Sequence, residues 1–176
     1  MSRHSEASPR VELGQVRINP KDAQLIQVAR IRLTRWFERE PANADNSYRP
    51  ARLGALLSPR QFGAWAVRYA IVRAEHEHNC WPEQILIPEH RRRILSERRI
   101  VLGACRVAPT EAAAFRRACL SFYEMICAPA EDINQSRFLT LAVVGLAECV
   151  KKTAALYNLP MPPWAGRLLF KELPRA

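Results

Sequence analysis

The stretch from Ser58 to His78, SPRQFGAWAVRYAIVRAEHEH, limits what this chain can fold into more than any other. The Ser58 hydroxyl can accept from an orphan N–H in the first turn of a helix, Pro59 fits the first helical position, and Gln61 can reach back to the cap. The helix start is thus set by chemistry as well as by propensity. Phe62, Trp65, Ala66, Tyr69, Ala70 and Ala74 then recur at steps of three and four, which gathers large aromatics and small residues on one face. Arg60, Arg68 and Glu75 fall on other sides, where they can stay in water. The reading is a helix lying on the surface of a core and packed by its aromatic stripe.

The sequence around that helix also reads as helical. A chain of 176 residues, 48% of them apolar, can bury one real core. Its glycines are scarce and its prolines sit mostly between apolar-periodic stretches, the punctuation of successive helices. Asn19 and Pro20 announce a helix to about Arg39, with Leu25, Ile26, Ala29, Leu33, Trp36 and Phe37 inward and a stripe of Lys21, Arg32, Arg35 and Arg39 opposite. Residues 40–57 read as a loop. Beyond the central helix Pro82 stops the period, and Ile85, Leu86 and Ile87 read as a brief extended piece or the lead-in to another helix. No convincing partner strand is legible elsewhere. Glu89 to about Leu102 reads as a helix with Ile94, Leu95, Val101 and Leu102 inward, stopped by Gly103. Pro109 and Glu111 restart a helix to about Cys127, with Phe115, Ala118, Cys119, Phe122, Met125 and Ile126 inside. The last helix is expected from near Glu131 or Asp132 to about Asn158, and its middle, LTLAVVGLA, is apolar nearly all round and should cross the centre.

The fold class expected is therefore all-α, a compact bundle of about five helices over residues 19–158. A mobile arm, 1–18, precedes it, in which Val11, Leu13, Val16 and Ile18 could form a short extended segment. A Pro-rich apolar tail, 159–176, follows and should pack on the domain or on a partner.

Charge bears most directly on function. There are 27 Lys and Arg residues against 17 Asp and Glu, a net charge of +10, which favours association with polyanions. The densest basic segment runs from Arg91 to Arg99, and guanidinium groups match phosphate geometry. The sequence thus points to a non-enzymatic accessory or regulatory protein that contacts DNA or RNA through Arg92, Arg93 and Arg99 on one helix and Arg32, Arg35 and Arg39 on another. On a continuous helix Arg92 and Arg99 would stand two turns apart, roughly 10 Å along the axis. The alternative takes these arginines as solvated charge. The chain is then an adaptor or inhibitor that docks on a protein through the 40–57 loop and the tail residues Trp164, Leu168, Leu169 and Phe170.

Enzyme and metal chemistry find little in the pattern. There is no Gly-rich phosphate loop, nucleophile elbow or paired-carboxylate spacing, and no cofactor is expected. His76 and Cys80 could share one helix face as half of a zinc site, with His78 and His90 close in sequence, but no second half has a recognisable spacing. A polar helix end accounts for them without a metal. The five cysteines lack paired spacing and read as reduced thiols in a cytosol, with Cys119, Cys127 and Cys149 on apolar faces. The longest uncharged apolar run, Phe138 to Ala147, is about half of the roughly 20 residues a membrane span needs, so a soluble cytoplasmic protein is expected.

Overall fold

The computed structural model describes residues 9–39 and 55–154, with side chains at all of these except 36–39 and 153–154. In chain order the elements are strand β1 (Val11–Ile18), a 3-10 turn (Pro20–Asp22), α1 (Ala23–Arg39), α2 (Pro59–Ile71) continued by a π turn (Val72–His76), α3 (Glu83–Leu86) and α4 (Pro88–Leu95). Strand β2 (Ile100–Val107), α5 (Pro109–Met125), a second 3-10 turn (Ala130–Asp132) and α6 (Gln135–Ala154) complete them. The fold is mostly helical, as the periodicity requires, but it is not all-α. The two strands pair antiparallel, from Val11 opposite Val107 to Ile18 opposite Ile100.

That sheet corrects two readings of the sequence. Val11–Ile18, expected in a loosely packed arm, is a strand that buries Leu13, Val16 and Ile18. The helix expected from Glu89 to Leu102 stops at Leu95, where Ser96 turns extended and Glu97 takes a positive φ of 48°. β-branched Ile100 and Val101 then enter β2. Gly103, read as a helix stop, sits inside that strand at φ 108°, next to a register shift, and Gly14 holds φ 104° beside the other shift in β1. Such bulges need a residue that tolerates this backbone. A Cβ at Gly103 would also stand 2.9 Å from the Nε of Arg60. Ile85 and Leu86, read as a brief extended piece or the lead-in to another helix, form part of the single turn of α3, which leads directly to α4.

The central helix begins as its residues dictate. Ser58 Oγ accepts from the Gln61 N–H at 3.1 Å while Gln61 Oε1 accepts from the Ser58 N–H at 2.9 Å, a complete capping box. It does not lie on the surface, however. Every residue from Phe62 to Val72 is buried, including Arg68, which the sequence reading left in water. The polar side is covered because α5 brings Glu111 to Arg68, with Nη2 2.6 Å from Oε1. α6 is likewise buried without a break from Phe138 to Ala147, as its all-round apolar middle implies. These two helices pack on each other so closely that a Cβ at Gly145 would come within 3.1 Å of the Tyr69 ring.

The remaining elements cover that pair. α1 lies on α6, α5 on α2, and the sheet on both. Asn19 caps the entry to α1, accepting from the Lys21 N–H at 2.9 Å. Leu57 is held against α1 by its backbone: Arg30 Nε donates to its carbonyl at 2.9 Å, and its N–H donates to Thr34 Oγ1 at 3.1 Å. Trp81, in the turn after α2, meets Tyr69, Phe122 and Phe138 edge-on at centroid separations of 5.3 to 5.9 Å. Its indole N–H donates to Asn79 Oδ1, so its polar edge is satisfied as its rings are buried.

Because Trp65 is fully buried in the middle of α2, Trp65→Ala should destabilise the fold by about 3–5 kcal/mol, since its neighbours can fill the cavity only in part. Urea titration measures this. A loss below about 1 kcal/mol, typical of surface changes, would contradict the placement.

Candidate nucleic-acid interface

The structure separates arginines that the sequence grouped together. Arg93 does not project outward beside Arg92. It turns back to the start of α1, where its Nη1 lies 2.9 Å from Oδ1 of Asp22, a carboxylate only 3% exposed. The same corner is tied by Asn19 Nδ2, which donates to the Ser96 carbonyl at 2.7 Å. Arg93 therefore has a structural task, the neutralisation of a buried acid that would otherwise be costly. Arg99 is not on α4 at all. It follows the Glu97 turn and faces that residue at 3.8 Å, with both side chains exposed. The two-turn spacing expected for Arg92 and Arg99 accordingly does not exist.

Arg92 remains exposed, with Glu89 one turn earlier at 3.7 Å. On α1, Arg35 is exposed and Arg32 partly buried, while the side chain of Arg39 lies outside the described residues. So do the tail residues Trp164, Leu168, Leu169 and Phe170, and positions 40–54 of the loop.

A different set of arginines comes together, drawn from elements far apart in sequence. Arg98 feels the like charges of Arg137, at the start of α6, and of Arg17, near the end of β1. Thr140 joins the three elements: its hydroxyl donates to the Arg17 carbonyl at 2.9 Å and accepts from Arg98 Nη1 at 3.4 Å. Burial, and then the like charges of Arg137 and Arg17, push the Arg98 pKa down, with Tyr123 acting the other way. Arg91 is also lowered, first by burial. Its Nη1 donates to the carbonyls of Ile85 and Leu86 at 2.9 and 2.6 Å, which fixes the guanidinium in place. Next to it, Arg91, Arg92 and Arg137 line a cleft of about 430 Å³ between α4, the end of α5 and the start of α6. Like charges drawn together and partly desolvated favour an anion among them.

Sequence reasoning singled out Arg92 but missed Arg17, Arg98 and Arg137 as a group. A clue was present in the unbalanced run around Arg98, but its neighbours arrive only through the sheet and α6.

The nucleophile and metal candidates find less support in the arrangement. Among the described residues no three His, Cys, Asp or Glu side chains converge as a metal-binding group, so His76, His78, Cys80 and His90 are not brought together. Cys80 and Cys127 are exposed, the latter against expectation, because the chain leaves α5 with Cys127 at φ 52°. Cys105 and Cys119 are buried, and burial pushes their thiols up to about 12 and about 11. Cys149 is buried beside a polar pair the sequence did not suggest: the Tyr69 hydroxyl and Arg73 Nη2 each lie 3.2 Å from its sulfur. The Arg73 guanidinium also sits over the Tyr69 ring at 5.3 Å. No helix among the described residues is long and apolar enough to cross a membrane.

No family model, curated protein or solved structure matches the chain.

Two outcomes follow from this geometry. Arg93→Gln should lower stability by about 2 kcal/mol, the scale of a lost hydrogen bond to a charged group, while leaving nucleic-acid affinity unchanged. Paired urea titrations and binding curves check both halves. Thiols whose pKa is raised hold their protons more firmly in the folded protein, so at pH 8 Cys105 and Cys119 present almost no thiolate. Alkylation followed by peptide mass mapping should therefore label Cys80 and Cys127 first, and Cys105 and Cys119 only after denaturation.

Proposed function

We propose that this chain is a non-enzymatic accessory or regulatory protein that contacts nucleic acid through an arginine face formed by Arg17, Arg92, Arg98 and Arg137. The observation that supports this reading is the Thr140 hydroxyl, one turn after Arg137 on α6, which meets both the Arg98 guanidinium at 3.4 Å and the Arg17 carbonyl at 2.9 Å, so that three segments bring arginines to one corner of the fold. A fold gains no stability from such a cluster by itself, and an anion with several charges at regular spacing offsets its repulsion. Arginine forks suit phosphate oxygens, and contacts of this kind position a protein on a strand without reading its bases. The net charge of +10 adds a longer-range attraction that speeds encounter. Arg93, with its buried carboxylate partner, is left out of this surface.

The triple change Arg92→Gln, Arg98→Gln and Arg137→Gln tests the reading. Fluorescence anisotropy across a salt series should show the slope of log affinity against log salt flattened by about 2–3 for a duplex and by about 2 for a single strand. Thermal melts of the variant should show that folding is retained. An unchanged slope, or no binding by the parent protein at low salt, overturns the proposal.

A further inference from the structure

The cleft beside the arginine face is more than a basic surface. Its lining joins the exposed arginines Arg92 and Arg137 to an apolar set, buried Leu141 and half-buried Leu95 and Ile126, which we take as its floor. Phosphate alone has no use for an apolar floor. At about 430 Å³ the cleft falls within the range of roughly 300–1,000 Å³ typical of small-molecule sites. Arg91 is tethered at its wall by two carbonyls, and an immobilised guanidinium offers a flat face on which a base can stack. One acid, Asp132, stands among the lining residues. A carboxylate opposes phosphate binding, yet it is a good acceptor for the exocyclic amino group of a base such as cytosine.

Resting on the nucleic-acid reading above, we propose that this cleft takes one unpaired nucleotide of a strand, its base between the apolar floor and Arg91 and its phosphates against Arg92 and Arg137. A paired base stays inside its stack and cannot enter. The chain therefore discriminates single-stranded from duplex nucleic acid, using the arginine face for affinity and the cleft for selection.

Cys127 provides a reporter without any mutation, since it is exposed and lines the cleft, whereas exposed Cys80 does not line it. Alkylation rates of the two thiols in the full chain would be followed by mass mapping with no addition, with single-stranded oligo(dC), with a duplex, or with deoxycytidine monophosphate. Binding would be measured in parallel by anisotropy. With oligo(dC) at about ten times its Kd, the Cys127 rate should fall about tenfold while Cys80 is unchanged. The duplex, bound to a matching occupancy, should slow Cys127 much less, because its bases do not enter the cleft, and should leave Cys80 unchanged.

Strand binding that leaves Cys127 unprotected overturns the cleft proposal while the arginine face stands. Equal protection by duplex, or equal slowing of Cys80, overturns it as well. Protection by the mononucleotide and not by the strand would make this a free-nucleotide site and also overturns the proposal. Absence of any strand or duplex binding by anisotropy removes both this inference and the reading beneath it.

Discussion

Contact between α2 and α6 is the constraint on which the rest of the structure depends. Each carries a stretch buried on all sides, from Phe62 to Val72 and from Phe138 to Ala147, so neither can face water along any edge. A large ring meets a small residue where they cross, with Tyr69 against Gly145, and a side chain at that position would have to push the ring aside. Two such helices must be enclosed by everything else in the chain. The strand pair, α1, α5 and the short α3–α4 unit are that enclosure, and the edge-on rings around Trp81 bind the turn after α2 into the same core.

Enclosure also explains what several of the arginines do. Arg68 sits within α2 where no water reaches, and Glu111 from α5 meets it. Arg93 answers the buried Asp22, Arg30 holds the Leu57 carbonyl, and Arg91 ties the two ends of α3 and α4 together through the Ile85 and Leu86 carbonyls. For Arg68 and Arg93 the guanidinium satisfies an acceptor that burial would leave costly. Arg98 has an acceptor too, the Thr140 hydroxyl at 3.4 Å, and the like charges of Arg137 and Arg17 act on it as well.

Residues at element ends set the local direction of the chain. Positive φ at Glu97 ends the α4 corner and redirects the chain into β2, while Cys127 at the end of α5 turns it across the cleft. His78 and Asn79 do the same after the π turn, where Asn79 also donates to Ser121 and accepts from Trp81. Non-glycine residues in this region carry backbone strain, and at Asn79 the side-chain bonds help to hold it.

The starts of α2 and α5 were legible from sequence because capping is local, whereas the last helix, expected from Glu131 or Asp132, begins at Gln135 after a separate 3-10 turn. Ser58, Pro59 and Gln61 meet within one turn, and the start of α2 and its aromatic face follow from them. The burial of the α6 middle was legible for the same reason, since an all-round apolar stretch has only one stable environment. The sheet was not legible: residues 19–99 lie between β1 and β2, and a short strand is hard to assign until its partner is known. Neither was the role of any particular arginine. Whether a guanidinium meets a buried carboxylate, as Arg93 does, or two like charges, as Arg98 does, depends on residues that only tertiary packing brings within reach. Sequence alone determined the charge and the helices, because both arise from residues next to one another. Tertiary structure alone decided which charges are neutralised and which converge, because Coulomb interactions follow distance in space and not separation along the chain.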